Sequence, residues 1–128
     1  MSQHVLDENV HDPYYRTLRR RFSMVKVGDG FGHKSMSDEN IRSELHGSKR
    51  TFHTQDWDFY KPRHRHPMYC LVFYDVEAKD FVSCVQRFLR HPRFSSRAKR
   101  MGKVVCVTKL HIEVWELHSE NRETVEWN

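Results

Sequence analysis

The sequence has no carboxylate between Asp80 and Glu113, although charged residues occur throughout the rest of the chain. The interval instead carries cations: Arg87, Arg90, Arg93, Arg97, Lys99, Arg100, Lys103 and Lys109. This absence excludes neutralisation of the positive charge by sequence neighbours. A stretch with one sign of charge predicts an anionic partner, because phosphate backbones attract clustered Lys and Arg.

Long apolar runs are also missing, since nothing approaches the roughly 18 residues that a membrane helix needs. The N-terminus is polar and acidic, unlike a signal peptide. Three cysteines, Cys70, Cys84 and Cys106, lie in apolar runs without CxxC spacing. An odd number so placed argues against a disulfide framework or a cysteine zinc site and predicts buried free thiols. We therefore expect a protein of the nucleus or cytoplasm that is neither secreted nor membrane-bound.

Familiar catalytic motifs are absent too. No G-x-S-x-G, P-loop or dinucleotide fingerprint occurs, and the glycine-rich run at 28–32 lacks the lysine and following helix of a phosphate loop. The sequence thus predicts a protein that is not an enzyme and that needs no cofactor or metal.

What is present fits one domain, because 128 residues leave little room for a second core. We expect a flexible N-terminal tail at 1–11, a single α+β domain at 12–118 and an acidic C-terminal tail at 119–128. The pattern predicts helices starting at Asp12 and at Ser37 or Asp38, an amphipathic helix over 78–90, and strands over 22–27, 51–54, 68–76 and 103–117. The expected fold is a small antiparallel or mixed sheet with two to three helices packed on one side, in a ferredoxin-like layout.

The main functional hypothesis is a small basic module that binds RNA or single-stranded DNA, chiefly through phosphate contacts. Net charge is +5 with histidines neutral, which supports this choice. The predicted contact residues are Arg87, Arg90, Arg93, Phe94, Arg97, Lys99, Arg100 and Lys103, with Arg63 and Arg65 in support. Among the aromatics, Phe94 and Tyr60 lie within or beside basic runs and are candidates for stacking on unpaired bases.

Two alternatives come from other classes. The first is a protein that acts through protein–protein contacts, either as a self-assembling homo-oligomer or as an adaptor. In both forms the strand over 103–117 pairs edge to edge with a partner. The second is a metal-dependent nuclease, because the pair His64 and His66 has a spacing that can hold a divalent metal. Asp56 and Asp58 also form a carboxylate pair, although such pairs are common by chance and share a face only in a strand.

Regulation is a further possibility at Ser23, which follows two arginines and Phe22 in a pattern that basophilic kinases prefer. A phosphate there would place negative charge on a cationic segment and weaken anion binding.

Overall fold

The computed structural model describes residues 2–128, and a single mixed sheet runs through them. Its strands are β1 (His4–Leu6), β2 (Met24–Val27), β3 (Gly30–Phe31), β4 (Arg50–Thr54), β5 (Tyr69–Tyr74), β6 (Val104–Val107), β7 (Ile112–Trp115) and β8 (Glu123–Val125). They lie in the order β3-β2-β1-β4-β5-β6-β7-β8. The six strands from β3 to β6 are parallel, and β7 and β8 continue the sheet antiparallel.

Four α-helices and three 3₁₀ turns connect these strands. They are α1 (Asp12–Arg19), α2 (Asp38–Leu45), α3 (Phe81–Arg90) and α4 (Arg97–Arg100), with 3₁₀ turns at Trp57–Phe59, Pro62–His64 and Ala78–Asp80. Helix α2 begins where Ser37 Oγ accepts a hydrogen bond from the amide N–H of Asn40 at 3.1 Å, as expected of an N-cap. The predicted starts of α1 and α2 and the amphipathic helix α3 are thus confirmed.

Helices cover both faces of the sheet. Helices α1 and α3 pack with Leu6 and Val72 on one face, whereas α2 and the turn Trp57–Phe59 pack with Val5 and Phe52 on the other. Both faces need to be covered because neighbouring residues of a strand point to opposite faces of the sheet, and in the central strands β1 and β5 both faces are apolar. The α+β class with a mixed sheet is confirmed. The helices were expected on one side of the sheet in a ferredoxin-like layout, whereas the structure has helices on both sides.

The N-terminal segment is the largest correction to the predicted organisation. Residues 1–11 were expected to be a flexible tail, yet β1 lies between β2 and β4 in the sheet, and Val5 and Leu6 have no exposed surface. Three strand residues are too few to give a periodic signal in the sequence. The acidic C-terminal segment likewise contains β8, which pairs with β7.

The long strand predicted over 103–117 is two strands. The chain reverses at 108–111, where Thr108 Oγ1 accepts hydrogen bonds from the amides of Leu110 and His111. Strands β6 and β7 then form an antiparallel hairpin. Both lie inside the sheet, so neither is a free edge, and the edge-to-edge pairing proposed for this segment is wrong. Within residues 2–128, no helix has the length and apolar character needed to cross a bilayer.

A chain of buried polar rings links the central strands. His53 Nδ1 lies 2.7 Å from the Tyr74 hydroxyl, and His53 Nε2 lies 3.1 Å from His4 Nδ1. Burial lowers the pKa of His4 to about 3, with Arg100 adding to the effect, and burial also lowers the pKa of His53 well below its usual value. Both rings are therefore neutral, and the two contacts are made either with the Tyr74 O–H donating to His53 and His53 donating to His4, or with both hydrogen bonds reversed.

This network predicts a loss of stability in acid. The unfolded chain takes up protons on both histidines near pH ~6.5, whereas the folded chain resists protonation. The free energy of unfolding should therefore fall as pH drops below ~6.5, by up to about 1.4 kcal/mol per pH unit for each histidine. Urea unfolding followed by circular dichroism at several pH values would measure this slope. A folded His53→Gln variant should show a shallower slope, and an equal slope would contradict the explanation.

Candidate metal centre

The order in which the chain adds strands to the sheet changes side between β1 and β4: β2 and β3 lie on one side of β1, and β4, β5 and β6 lie on the other. From β1 the chain passes over one face through α1 to reach β2, whereas from β4 it passes over the other face through the turn Trp57–Phe59 towards β5. Because the two connections diverge, a crevice opens at the carboxyl ends of these strands. Open parallel sheets bind ligands in crevices of this kind. Acidic residues follow both strands here: Asp7 comes after β1 and Asp56 after β4.

Three carboxylates converge on the α2 side of this crevice. Asp56 caps the turn Trp57–Phe59, since its Oδ1 accepts a hydrogen bond from the Asp58 amide at 2.9 Å. Asp38 is the first residue of α2. One carboxylate oxygen from each of Asp38, Asp56 and Asp58 lies within 4.8 Å of the other two. The two segments are brought together because α2 and the turn pack on the same face of the sheet.

A fourth carboxylate, that of Asp7, is held firmly beside this group. Its Oδ2 accepts a hydrogen bond of 2.6 Å from Thr54 Oγ1, and its Oδ1 accepts one of 2.7 Å from the Glu8 amide. Thr54 Oγ1 in turn accepts from the Asp56 amide at 2.9 Å. Asp7, Asp38 and Asp56 together line a pocket of about 300 Å³. A rigid hydrogen-bonded frame thus connects the ends of β1 and β4.

The charges of these groups act on each other. Burial raises the pKa of Asp7, and the neighbouring Asp56 and Glu8 raise it further, against the hydrogen bonds that lower it. Burial also raises the pKa of Asp38, followed by the negative charges of Asp56, Asp7 and Asp58. A divalent cation would relieve this repulsion. Because every candidate ligand is a carboxylate oxygen, the set suits hard ions such as Mg²⁺, Mn²⁺ or Ca²⁺.

Sequence reasoning found only part of this site. It noted the pair Asp56 and Asp58 but expected the two side chains to share a face only in a strand, whereas here a 3₁₀ turn brings them together. Asp38 was considered only as a helix cap. The usable signal was the position of acidic residues directly after strands, at Asp7 and Asp56, but β1 was not recognised as a strand.

The predicted metal pair His64 and His66 is not part of the carboxylate cluster. Among residues 2–128, the cluster with metal-ligand spacing consists of the three aspartates and includes neither histidine. His66 stacks on His46 with ring centroids 4.1 Å apart, and its Nδ1 accepts a hydrogen bond from the Met68 amide. His66 thus has a packing and loop-forming role, and metal binding by the pair stays a prediction.

Several residues of the predicted nucleic-acid surface are internal. Arg100 is 2% exposed, and its guanidinium donates to Thr51 Oγ1, the Phe94 carbonyl and Gln3 Oε1 at 2.9, 2.9 and 3.2 Å. Phe94 has no exposed surface, and Tyr60 is 8% exposed. None of these three can serve as an open contact for a nucleic acid in this fold, so their assignment to the surface is corrected.

Other predicted cations contact the C-terminal segment of the same chain. Arg93 makes two hydrogen bonds to the Glu123 carboxylate at 2.9 and 3.0 Å, and Lys103 Nζ lies 3.8 Å from Glu116. Arg65 donates to the backbone carbonyls of Glu116 and Ser119. The predicted cation belt is thus partly neutralised by the molecule's own carboxylates, although no acidic residue is close in sequence.

The remaining predicted cations are exposed: Arg63, Arg87, Arg90, Arg97 and Lys99. Of these, Arg87 lies over the Trp127 ring at 4.2 Å. Helix α4 directly precedes β6, so it lies at the amino end of the parallel strands. Helix α3 ends at the same side of the sheet. The exposed arginines of these helices are therefore at the opposite end of the sheet from the carboxylate crevice.

Known proteins give no direct guide to this site. Comparison of the chain with protein-family models, with curated proteins and with solved structures finds no match. Any functional inference therefore depends on the geometry of the crevice and on the charges around it.

The cluster predicts divalent-metal binding. A double variant Asp56→Asn/Asp58→Asn should bind Mn²⁺ at least about 10-fold more weakly than the wild type, because two ligand charges are lost while the cap hydrogen bond is kept. Calorimetric titration measures the affinity. Protons compete with the metal at Asp38, whose pKa is raised by burial and by the neighbouring aspartates, so affinity should fall as pH is lowered. The exposed Glu120→Gln variant is the control, and equal affinity in both variants would contradict the assignment.

The internal position of Arg100 predicts a structural role. An Arg100→Ala variant should lose about 3 kcal/mol in the free energy of unfolding, because buried acceptors on Thr51 and Phe94 lose their donor and a cavity is left. Arg90→Ala, on the exposed face of α3, should change stability by less than about 0.5 kcal/mol. Urea unfolding of both variants tests this. Similar stability of the two would mean that the hydrogen bonds of Arg100 contribute little.

Proposed function

We propose that the protein is a divalent-metal-dependent phosphodiesterase that cleaves single-stranded nucleic acid. The observation that carries the proposal is the convergence of Asp38, Asp56 and Asp58, with Asp7 beside them, in the crevice between β1 and β4. Carboxylate clusters of this composition hold the metal ions that assist phosphodiester hydrolysis. Catalysis goes beyond the binding-only function expected from sequence, which remains as a second candidate.

Arg42, a cation whose charge acts on Asp38, suits a phosphodiester substrate. Burial lowers the pKa of His64, and the positive charges of Arg42, Arg63 and Lys61 lower it further, so these three cations lie around one ring. Arg42 also acts on Asp38, where its charge opposes the rise in pKa. With a phosphate bound at the metal, Arg42 would be available to a neighbouring phosphate of the same strand. The net charge of +5 favours the same class of substrate.

Each acidic side chain has a distinct role in this proposal. Asp38, Asp56 and Asp58 would hold the metal, which when bound would supply Lewis-acid activation of water and stabilise charge on the phosphate oxygens. Asp7 is the proton acceptor, because its raised pKa and fixed orientation suit a general base. Water adds to phosphorus, Asp7 takes its proton, one P–O bond of the diester breaks, and the leaving oxygen takes up a proton from solvent.

The second candidate is nucleic-acid binding without cleavage, mainly through phosphate contacts. Its support is the exposed cations at the amino end of the sheet, Arg90, Arg97 and Lys99, in a stretch without nearby acidic residues in sequence. Phosphorylation of Ser23, which is exposed at this end, would weaken such binding. A nuclear or cytoplasmic location fits both candidates, since RNA and single-stranded DNA are found there.

A cleavage assay separates the two candidates. End-labelled RNA and single-stranded DNA oligonucleotides are incubated with the protein in Mn²⁺, in Mg²⁺ and in EDTA, and the products are resolved on a gel. We expect metal-dependent cleavage by the wild type and by Glu120→Gln, and a loss of about 100-fold in Asp56→Asn/Asp58→Asn. Equal cleavage by the double variant would point to a contaminant. Salt-dependent binding with no cleavage in any metal would favour the second candidate.

A further inference from the structure

Trp57 is an exposed aromatic residue that lies in sequence between two of the proposed metal ligands. It is the residue between Asp56 and Asp58, and 57% of its surface is accessible. In the part of the chain that the structure describes, Leu110 is the one other large apolar side chain with comparable exposure. An indole in water forgoes the favourable burial that aromatic side chains normally gain. Trp57 is therefore a candidate for contact with a bound ligand.

The indole is held in place from the side. Its ring centroid lies 6.4 Å from that of Tyr60 and 6.5 Å from that of Phe73, both of which belong to or pack against the core on the α2 face. Trp57 is the first residue of the 3₁₀ turn that Asp56 caps. Lys61 Nζ lies over the ring, 3.6 Å from the centroid. The ring thus has aromatic neighbours in Tyr60 and Phe73, and the Lys61 ammonium covers part of it.

We infer that Trp57 is a stacking platform for an unpaired base of the bound strand, with Lys61 contacting a neighbouring phosphate. This inference rests on the proposed function and names its substrate more closely. Consecutive Cα atoms are about 3.8 Å apart, so the Cα of Trp57 lies about that far from the Cα atoms of Asp56 and Asp58, two of the proposed metal ligands. Aromatic side chains stack on bases of every type, and cations beside them follow the phosphate backbone.

The inference predicts a preference for single strands. Bases within a duplex are stacked on each other and cannot lie on a side chain without being unpaired, whereas bases in a single strand are available. Stacking on one indole reads no hydrogen-bond pattern, so the platform predicts tolerance of base sequence. The scissile phosphate would then be positioned by the metal ligands and the adjacent base by Trp57.

The test compares base-containing and abasic strands. Binding of a labelled oligoadenylate and of an abasic strand of the same length is measured by fluorescence anisotropy in Ca²⁺, which carboxylates bind well, with a gel checking that the strands stay intact. Trp57→Ala should weaken oligoadenylate binding roughly 10- to 100-fold and leave binding of the abasic strand unchanged. Trp57→Phe should retain part of the affinity. Leu110→Ala, the matched exposed apolar control, should bind as the wild type does.

Several results would overturn the inference. Unchanged oligoadenylate affinity in Trp57→Ala would do so, as would an equal loss with the abasic strand. If the wild type alone forms an oligomer by light scattering and Trp57→Ala does not, the indole contacts protein instead of a base. Circular dichroism and the thermal midpoint of each variant ensure that folded proteins are compared.

Failure of this inference can be told from failure of the proposed function. If the wild type cleaves RNA or single-stranded DNA with metal but Trp57→Ala binds and cleaves like it, the hydrolase proposal stands and the stacking role falls. If no metal supports cleavage yet Trp57→Ala loses base-dependent binding, the stacking role stands and the hydrolase proposal falls.

Discussion

The architecture depends on one constraint, which is that the central strands are apolar on both faces. A strand such as β1, whose residues are all buried, is stable only when both faces of the sheet are covered. The chain meets this need by sending α1 over one face and α2 with the turn Trp57–Phe59 over the other. The divergence of these connections at β1 and β4 opens the crevice in which Asp7, Asp38 and Asp56 meet. The candidate site is therefore a by-product of how the core is covered.

Charge is divided along the strand direction. Carboxylates collect at the carboxyl ends of β1 and β4, where burial and mutual repulsion raise the pKa values of Asp7 and Asp38. Many arginines collect at the amino ends, and there the C-terminal segment supplies Glu116 and Glu123 as partners for Arg93 and Lys103. The net positive charge of the chain is thus a poor guide to the location of a site. Ion pairs between distant parts of the sequence decide which cations remain available.

The elements predicted well from sequence are those with many periodic residues. The stripe from Phe81 to Leu89 specifies α3, and the apolar run around Leu71 specifies β5, because local periodicity is sufficient there. Strand β1 was missed since three residues carry no period, and the hairpin at Thr108 was missed since the apolar alternation continues across the turn. The carboxylate cluster depends on the approach of residue 38 to residues 56–58, which only the tertiary fold creates. The burial of Arg100, the last residue of α4, likewise follows from packing, because its local sequence is that of a solvated basic linker.

The outermost strands are very short. Strand β3 has two residues and β8 has three, and Glu123 and Glu126 add charge beside the latter. A sheet with long bare borders recruits further strands and tends towards aggregation, whereas short, charged borders offer few backbone donors and acceptors to an incoming chain. The protein can therefore keep a sheet of eight strands without a strong tendency to polymerise into fibres.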